Sequence, residues 1–167
     1  MRRKMHHAAS FLVFFGGCLF SAAAPVVEVV HPFEAPPSGA VGGLVQGSDG
    51  LMWGTTSAGG ANDKGTIFTF NPVEFGGGTR RYFEVVKSFR GGWGDGETPQ
   101  GALVADGAGN LLGTTSAGGA AGQGTVYRIF SATGAFSTVA EFSGRQGVGP
   151  WGALIRDPQG WWWGTAR

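Results

Sequence analysis

Gly54-Thr55-Thr56-Ser57-Ala58-Gly59-Gly60-Ala61 recurs residue for residue as Gly113-Thr114-Thr115-Ser116-Ala117-Gly118-Gly119-Ala120, an offset of 59. The match runs on without a gap. Leu44 and Val45 answer to Leu103 and Val104, and Gly65-Thr66-Ile67-Phe68 to Gly124-Thr125-Val126-Tyr127. A third copy at an offset of 51 aligns Gly152 to Asp157 with Gly101 to Asp106, and Gly160 to Thr165 with Gly109 to Thr114. Self-similarity at such a period is the mark of a repeat architecture.

A further segment, Glu84-Val85-Val86-Lys87-Ser88-Phe89, is echoed at Glu28-Val29-Val30-His31-Pro32-Phe33 and more faintly at Ser137 to Phe142. Each unit therefore holds four candidate strands. They are expected near 43–47, 51–56, 65–70 and 82–89 in the first full copy, and near 102–105, 110–115, 124–130 and 136–142 in the second. Asp49-Gly50, Gly107 to Asn110 and Pro158-Gln159-Gly160 supply hairpin turns between the first two strands of each copy. The connector after Phe70 is six residues longer than its counterpart after Ile129 and holds Gly76-Gly77-Gly78, as suits an exposed loop.

Composition agrees. Thirty-three of 167 residues are Gly and only 14% are charged, and each Gly inside a helix costs roughly 1 kcal/mol relative to Ala, so many tight turns and short strands are favoured over helices. Disorder is opposed by the 42% hydrophobic and 13% aromatic content. The expected fold is all-β: an incomplete β-propeller-like array of four-stranded antiparallel blades, about two and a half repeats, with a stacked β-solenoid as the alternative. The divisions are 1–24 leader, 25–42 N-terminal strand and linker, 43–100 first repeat, 101–151 second, and 152–167 a partial third.

Residues 1–24 read as a secretory signal: Arg2, Arg3 and Lys4, then the mostly apolar Ala8 to Phe20, then small residues, with cleavage near Ala23. The apolar run is shorter than the ~20 residues of a spanning helix, and Cys18 lacks the preceding aliphatic residue of a lipidation signal. A secreted or extracytoplasmic protein without a membrane span is expected. The mature chain would keep nine Lys or Arg, eleven Asp or Glu, one His and no Cys. That balance excludes a basic nucleic-acid footprint, disulfides and thiolate metal sites.

Gly54 to Gly60 followed by Gly65-Thr66-Ile67-Phe68, with the second copy at Gly113 to Tyr127, resembles the GloVer (Gloeo-Verruco) tandem repeat of bacterial secreted and surface proteins. Leu112 departs where an aromatic such as Trp53 or Trp163 belongs. The resemblance implies an extracytoplasmic repeat array and no established activity.

Chemistry is sparse. His31, at the position of Lys87 in the next copy, is the only base left for a nucleophile, so no catalytic residue is assigned. Asp95 and Glu97, set among glycines, are the metal candidates, for a hard cation such as Ca²⁺. Trp93 and Trp151, in loops, are candidate contacts for a glycan or protein, and Thr55, Thr56, Ser57, Thr114, Thr115 and Ser116 repeat hydroxyls at one spacing. Asp49, Asp106 and Asp157 belong to hairpin turns. The expected role is an exported interaction or scaffold module with a protein or glycan partner, which a homo-oligomer could complete as a ring. The alternatives are a carbohydrate-active enzyme with a carboxylate pair and a truncated remnant of a longer propeller.

Overall fold

The computed structural model describes residues 10–15, 27–33, 38–71, 83–145 and 147–167. The rest of the expected leader, Cys18 included, and the connector with Gly76 to Gly78 lie outside them. Among the described residues there is no helix, and the sheets are antiparallel and open.

The first repeat is a four-stranded sheet, β3 (Ser38–Gln46), β4 (Met52–Ala58), β5 (Thr66–Phe70) and β6 (Phe83–Ser88), in chain order. The second holds β7 (Gly96–Pro99), β8 (Val104–Ala105), β9 (Asn110–Gly118), β10 (Thr125–Phe130) and β11 (Ala135–Glu141), with β7 and β8 both paired to β9. Strands β12 (Ile155–Arg156) and β13 (Trp162–Trp163) form a third, two-stranded sheet. At the N-terminal side β1 (Ser10–Phe15) pairs with β2 (Val27–Phe33).

The first strand begins earlier than expected. Ser38 pairs with Ala58, and the pairing slips between Val41 and Val45 before resuming at Val45 and Trp53. The second copy opens the same slip into two strands, with Glu97 opposite Ala117 and Val104 opposite Leu112. A slip of this kind hides the strand in sequence, because the alternation of faces is lost across it.

Two glycines of the shared motif are required by packing. At Gly54 a Cβ would lie 2.5 Å from the Phe68 ring, and at Gly113 it would strike the Tyr127 ring, so the strand backbone serves as the floor for an aromatic one strand away. Gly65 and Gly124, at φ 94° and 99°, start the third strand in a conformation that L side chains avoid.

Each repeat presents the same apolar face. In the first it is Leu44, Met52, Phe68, Phe70 and Phe83; in the second, the aligned Leu103, Leu111, Tyr127, Ile129 and Phe136. The second set packs on Trp53, Ile67, Phe89 and their neighbours from the opposite face of the first repeat. The main core is thus an interface between repeats. Phe89 crosses the rings of Tyr127 and Phe136 edge-on at 5.3 and 5.8 Å.

The Tyr127 hydroxyl is buried there without a hydrogen-bond partner, and burial pushes its phenol well above the usual tyrosine range. An unpaired buried hydroxyl costs about 1–3 kcal/mol. Tyr127→Phe, which restores the residue found at Phe68, should therefore leave stability unchanged or raise it in urea unfolding. Its folded-state pKa being raised, Tyr127 favours the fold fully below about pH 10 and loses that contribution as pH rises further. The variant should lose less stability than the parent in strong alkali; an equal loss would place the buried ionisation elsewhere.

Candidate functional site

The recurring hydroxyls are held inside the fold. Thr56 and Thr66 share a hydrogen bond of 2.7 Å, as do Thr115 and Thr125 at 2.8 Å, and all four side chains are buried. Ser57 donates to the Gly39 carbonyl and Ser116 to that of Thr98, the same bond in both copies. Thr55 reaches the carbonyl of Gly101 at 3.5 Å, and Thr114 that of Gly152 at 3.1 Å. These last two bonds run from one repeat to the next.

Asp95 is buried at the same junction. Its carboxylate meets the Lys87 ammonium at 2.8 Å and accepts the Arg90 and Gly96 backbone N–H groups. Lys87 lies 4.5 Å from the Phe136 ring centre, on the neighbouring repeat. Glu97 pairs with Lys64 at 2.6 Å, again across the junction. Both metal candidates thus hold a cation of the chain itself, and among the described residues no three His, Cys, Asp or Glu converge.

The hairpin aspartates act alike. Asp157 accepts from the Trp161 backbone N–H and, at 2.7 Å, from the Trp163 indole; Asp49 accepts from the Leu51 N–H and the Trp53 indole. Asp106, where Leu112 replaces the tryptophan, accepts from the Asn110 amide at 2.6 Å instead. The loss of one donor is matched by the gain of another. The Trp163 indole and the turn's backbone N–H groups hold the Asp157 carboxyl below the usual aspartate range.

Among the described residues the exposed tryptophans are Trp93, 87% accessible, and Trp151, Trp161 and Trp163. Trp151 lies under the Arg167 guanidinium at 4.6 Å. Trp93 borders an open groove of about 400 Å³ with Gly94, Thr138, Val139, Ala140 and Glu141. The groove's polar groups are engaged: Glu141 accepts from the Gly94 and Ala120 N–H groups, and Thr138 donates to the Gly94 carbonyl. What it offers a ligand is the indole face and Val139. Sequence reading found Trp93 from its loop but not Val139, which lies on the β11 strand.

A family model for the Gloeobacter/Verrucomicrobia repeat matches residues 10–167. No curated protein and no solved structure matches the chain.

Removing one partner of a buried ion pair costs about 3–5 kcal/mol, whereas trimming an exposed side chain stays within about 0.5 kcal/mol. In chemical denaturation Asp95→Ala should show the first behaviour and Trp93→Ala the second; a mild Asp95→Ala would mean that the Lys87 contact is dispensable. Acid gives an independent check. With its folded pKa depressed, Asp157 contributes stability above its ordinary pKa of about 3.8 and loses it as pH falls through the lower folded value. The Trp163 indole N–H resonance should titrate with a midpoint below 3.8, and a midpoint at or above it would remove the bond from the solution state.

Proposed function

Since the chain belongs to the Gloeobacter/Verrucomicrobia repeat family, we propose that it is a propeller-like interaction scaffold, with its contact surface in the loops between repeats and no chemistry of its own. The propeller reading is supported by where neighbouring sheets approach most closely. The first strand of the second repeat, β7 and β8, meets β4 and β3 of the first, and the Thr55 bond ends at Gly101, between β7 and β8, as the Thr114 bond ends at the aligned Gly152 of the third copy. Blades crowd at their inner strands and splay outward, whereas solenoid layers stack at one spacing along every strand.

The observation that carries the scaffold reading is the contrast between groups engaged within the fold and one that is not. Recurring hydroxyls, Asp95, Glu97 and Glu141 all have partners inside the chain, while Trp93 stands 87% exposed beside the groove. An exposed indole gives a large, rigid contact surface for a sugar face or an apolar protein patch. Extracytoplasmic placement would follow from residues 1–24 if they are removed as a leader; the scaffold role stands without it.

Tryptophan fluorescence against neutral and acidic oligosaccharides, together with capture of proteins from the medium, tests this reading. A ligand that quenches the parent should bind Trp93→Ala at least about ten-fold more weakly, as the loss of one aromatic anchor implies, at unchanged melting temperature. Turnover of any oligosaccharide by the pure protein would overturn the non-catalytic reading.

A further inference from the structure

The hairpin turns of consecutive repeats meet differently at the two junctions, and one position decides the difference: Arg156 in the third copy, aligned with Ala105 in the second. Ala105 pairs with Leu111 and Arg156 with Trp162. Directly opposed residues share a face of their sheet, and Leu111 is packed against the first repeat. This position therefore looks toward the preceding repeat.

At the second junction the Arg156 guanidinium makes the crossing. Its Nη1 donates to the Asp106 carbonyl at 3.1 Å and its Nε to the Gly160 carbonyl at 3.5 Å, while its central carbon lies 5.7 Å from the Trp162 ring centre. Gly160 makes room for it, since a Cβ there would lie 3.3 Å from Nη2. At the first junction alanine is too short to cross. A cavity of about 210 Å³ lies in the corresponding place, between Gly47 and Ser48 of one turn and Ala105, Gly109, Asn110 and Leu111 of the next. Three of these residues align with those around the Arg156 guanidinium: Gly47 with Asp106, Gly109 with Gly160, and Leu111 with Trp162.

The surroundings of the cavity suit a cation. Among the described residues no Lys, Arg or His lines it, and Asp49 and Asp106 lie in the two turns that frame it. Their carboxylates accept from N–H groups of their own turns, so they act through their field rather than by direct contact. The direct acceptors are neutral. The Gly47 carbonyl takes the Gly50 N–H at 3.1 Å and has a second lone pair. Ser48 Oγ lies 2.7 Å from Ser131 Oγ, and Asn110 gives its NH₂ to Asp106 while keeping an amide oxygen. Neutral oxygens beside an apolar leucine favour a flat, weakly hydrated guanidinium over a compact, strongly hydrated ammonium.

We propose that this cavity binds a guanidinium group supplied from outside the chain, on a free guanidino compound or on an arginine side chain of a polypeptide, in the place that Arg156 fills at the next junction. The site is separate from the Trp93 groove. It lies at the turns that precede β4 and β9, whereas the Trp93 loop is tied to the far end of β9 by the Gly119 N–H bond to the Gly92 carbonyl. Failure of the aromatic contact surface would leave it standing.

Amide NMR spectra of the full chain, titrated with propylguanidinium, test the site. Saturable shifts of the Ser48, Gly107 and Gly109 amides are expected, with a Kd on the order of millimolar for so small a ligand. Butylammonium at equal ionic strength should bind at least about ten-fold more weakly. Ala105→Arg supplies a guanidinium from within, as Arg156 does, and should abolish the shifts at an unchanged or raised melting temperature. Arg156→Ala should open a second site, read at the Gly160 amide. No saturable shift, an equal response to butylammonium, undiminished binding by folded Ala105→Arg, or no new site in Arg156→Ala overturns the proposal. Acetyl-arginine-amide and Gly-Gly-Arg-Gly-Gly separate the two sources: tighter binding of the peptide upholds the site with a polypeptide as its ligand, and equal binding upholds it with a free guanidino compound.

Discussion

The fold depends on the contact between one repeat and the next, because neither sheet can bury its apolar faces alone. Gly65 shows how closely the contact is built. A Cβ there would fall 2.6 Å from Pro99 of the following repeat, and one at Gly124 would fall 2.7 Å from Pro150 of the repeat after that. Beside each glycine runs the same backbone bond, from the Thr98 N–H to the Lys64 carbonyl at 2.8 Å and from the Gly149 N–H to the Gln123 carbonyl at 2.9 Å. Thr98 adopts φ 57° to make it, next to Gly39 at 69° and Gly149 at 56° in the equivalent places. That a threonine accepts a conformation glycine prefers shows that the junction, rather than local preference, sets the backbone there.

Around that junction the polar groups are arranged to leave little unpaired. Thr55 and Thr114 tie to the Gly101 and Gly152 carbonyls of the next repeat, Lys87 and Asp95 lie side by side near the Phe89 and Phe136 rings, and Lys64 holds Glu97. Charged and hydroxyl groups can lie this deep because each finds its partner on the neighbouring sheet. Where the repeat drifts, the pairing drifts with it. Gln123 stands in the place of Lys64 and Val148 in that of Glu97, and the Gln123 Oε1 atom is left buried without a partner.

Much of this was legible from the eight residues repeated at Gly54 and Gly113. Their period fixes the unit, the intervening turns fix antiparallel hairpins, and strands β4, β5, β6, β9, β10 and β11 fall within a few residues of their expected places. Long-range partners were not legible. The Thr55 bond to Gly101 and the Lys87 bond to Asp95 join residues whose relation appears only when one sheet lies on another, so repeated hydroxyls and paired acids resemble ligand groups in one dimension. Ser38 to Val41 and Gly96 to Pro99 were missed because the slipped register breaks the alternation that marks a strand.

Ser10 to Phe15 shows how one composition can serve two readings. A charged start followed by an apolar run satisfies the grammar of an export leader, and a central strand buried on both faces needs the same apolar run. Side-chain character cannot separate them. Backbone register adds what composition lacks: the slip after Leu12 in the β1–β2 pairing matches those after Ile67 and Val126 in the third-and-fourth-strand pairings of the two full repeats, so one apolar run can carry the pattern of a repeat as well as the grammar of a leader.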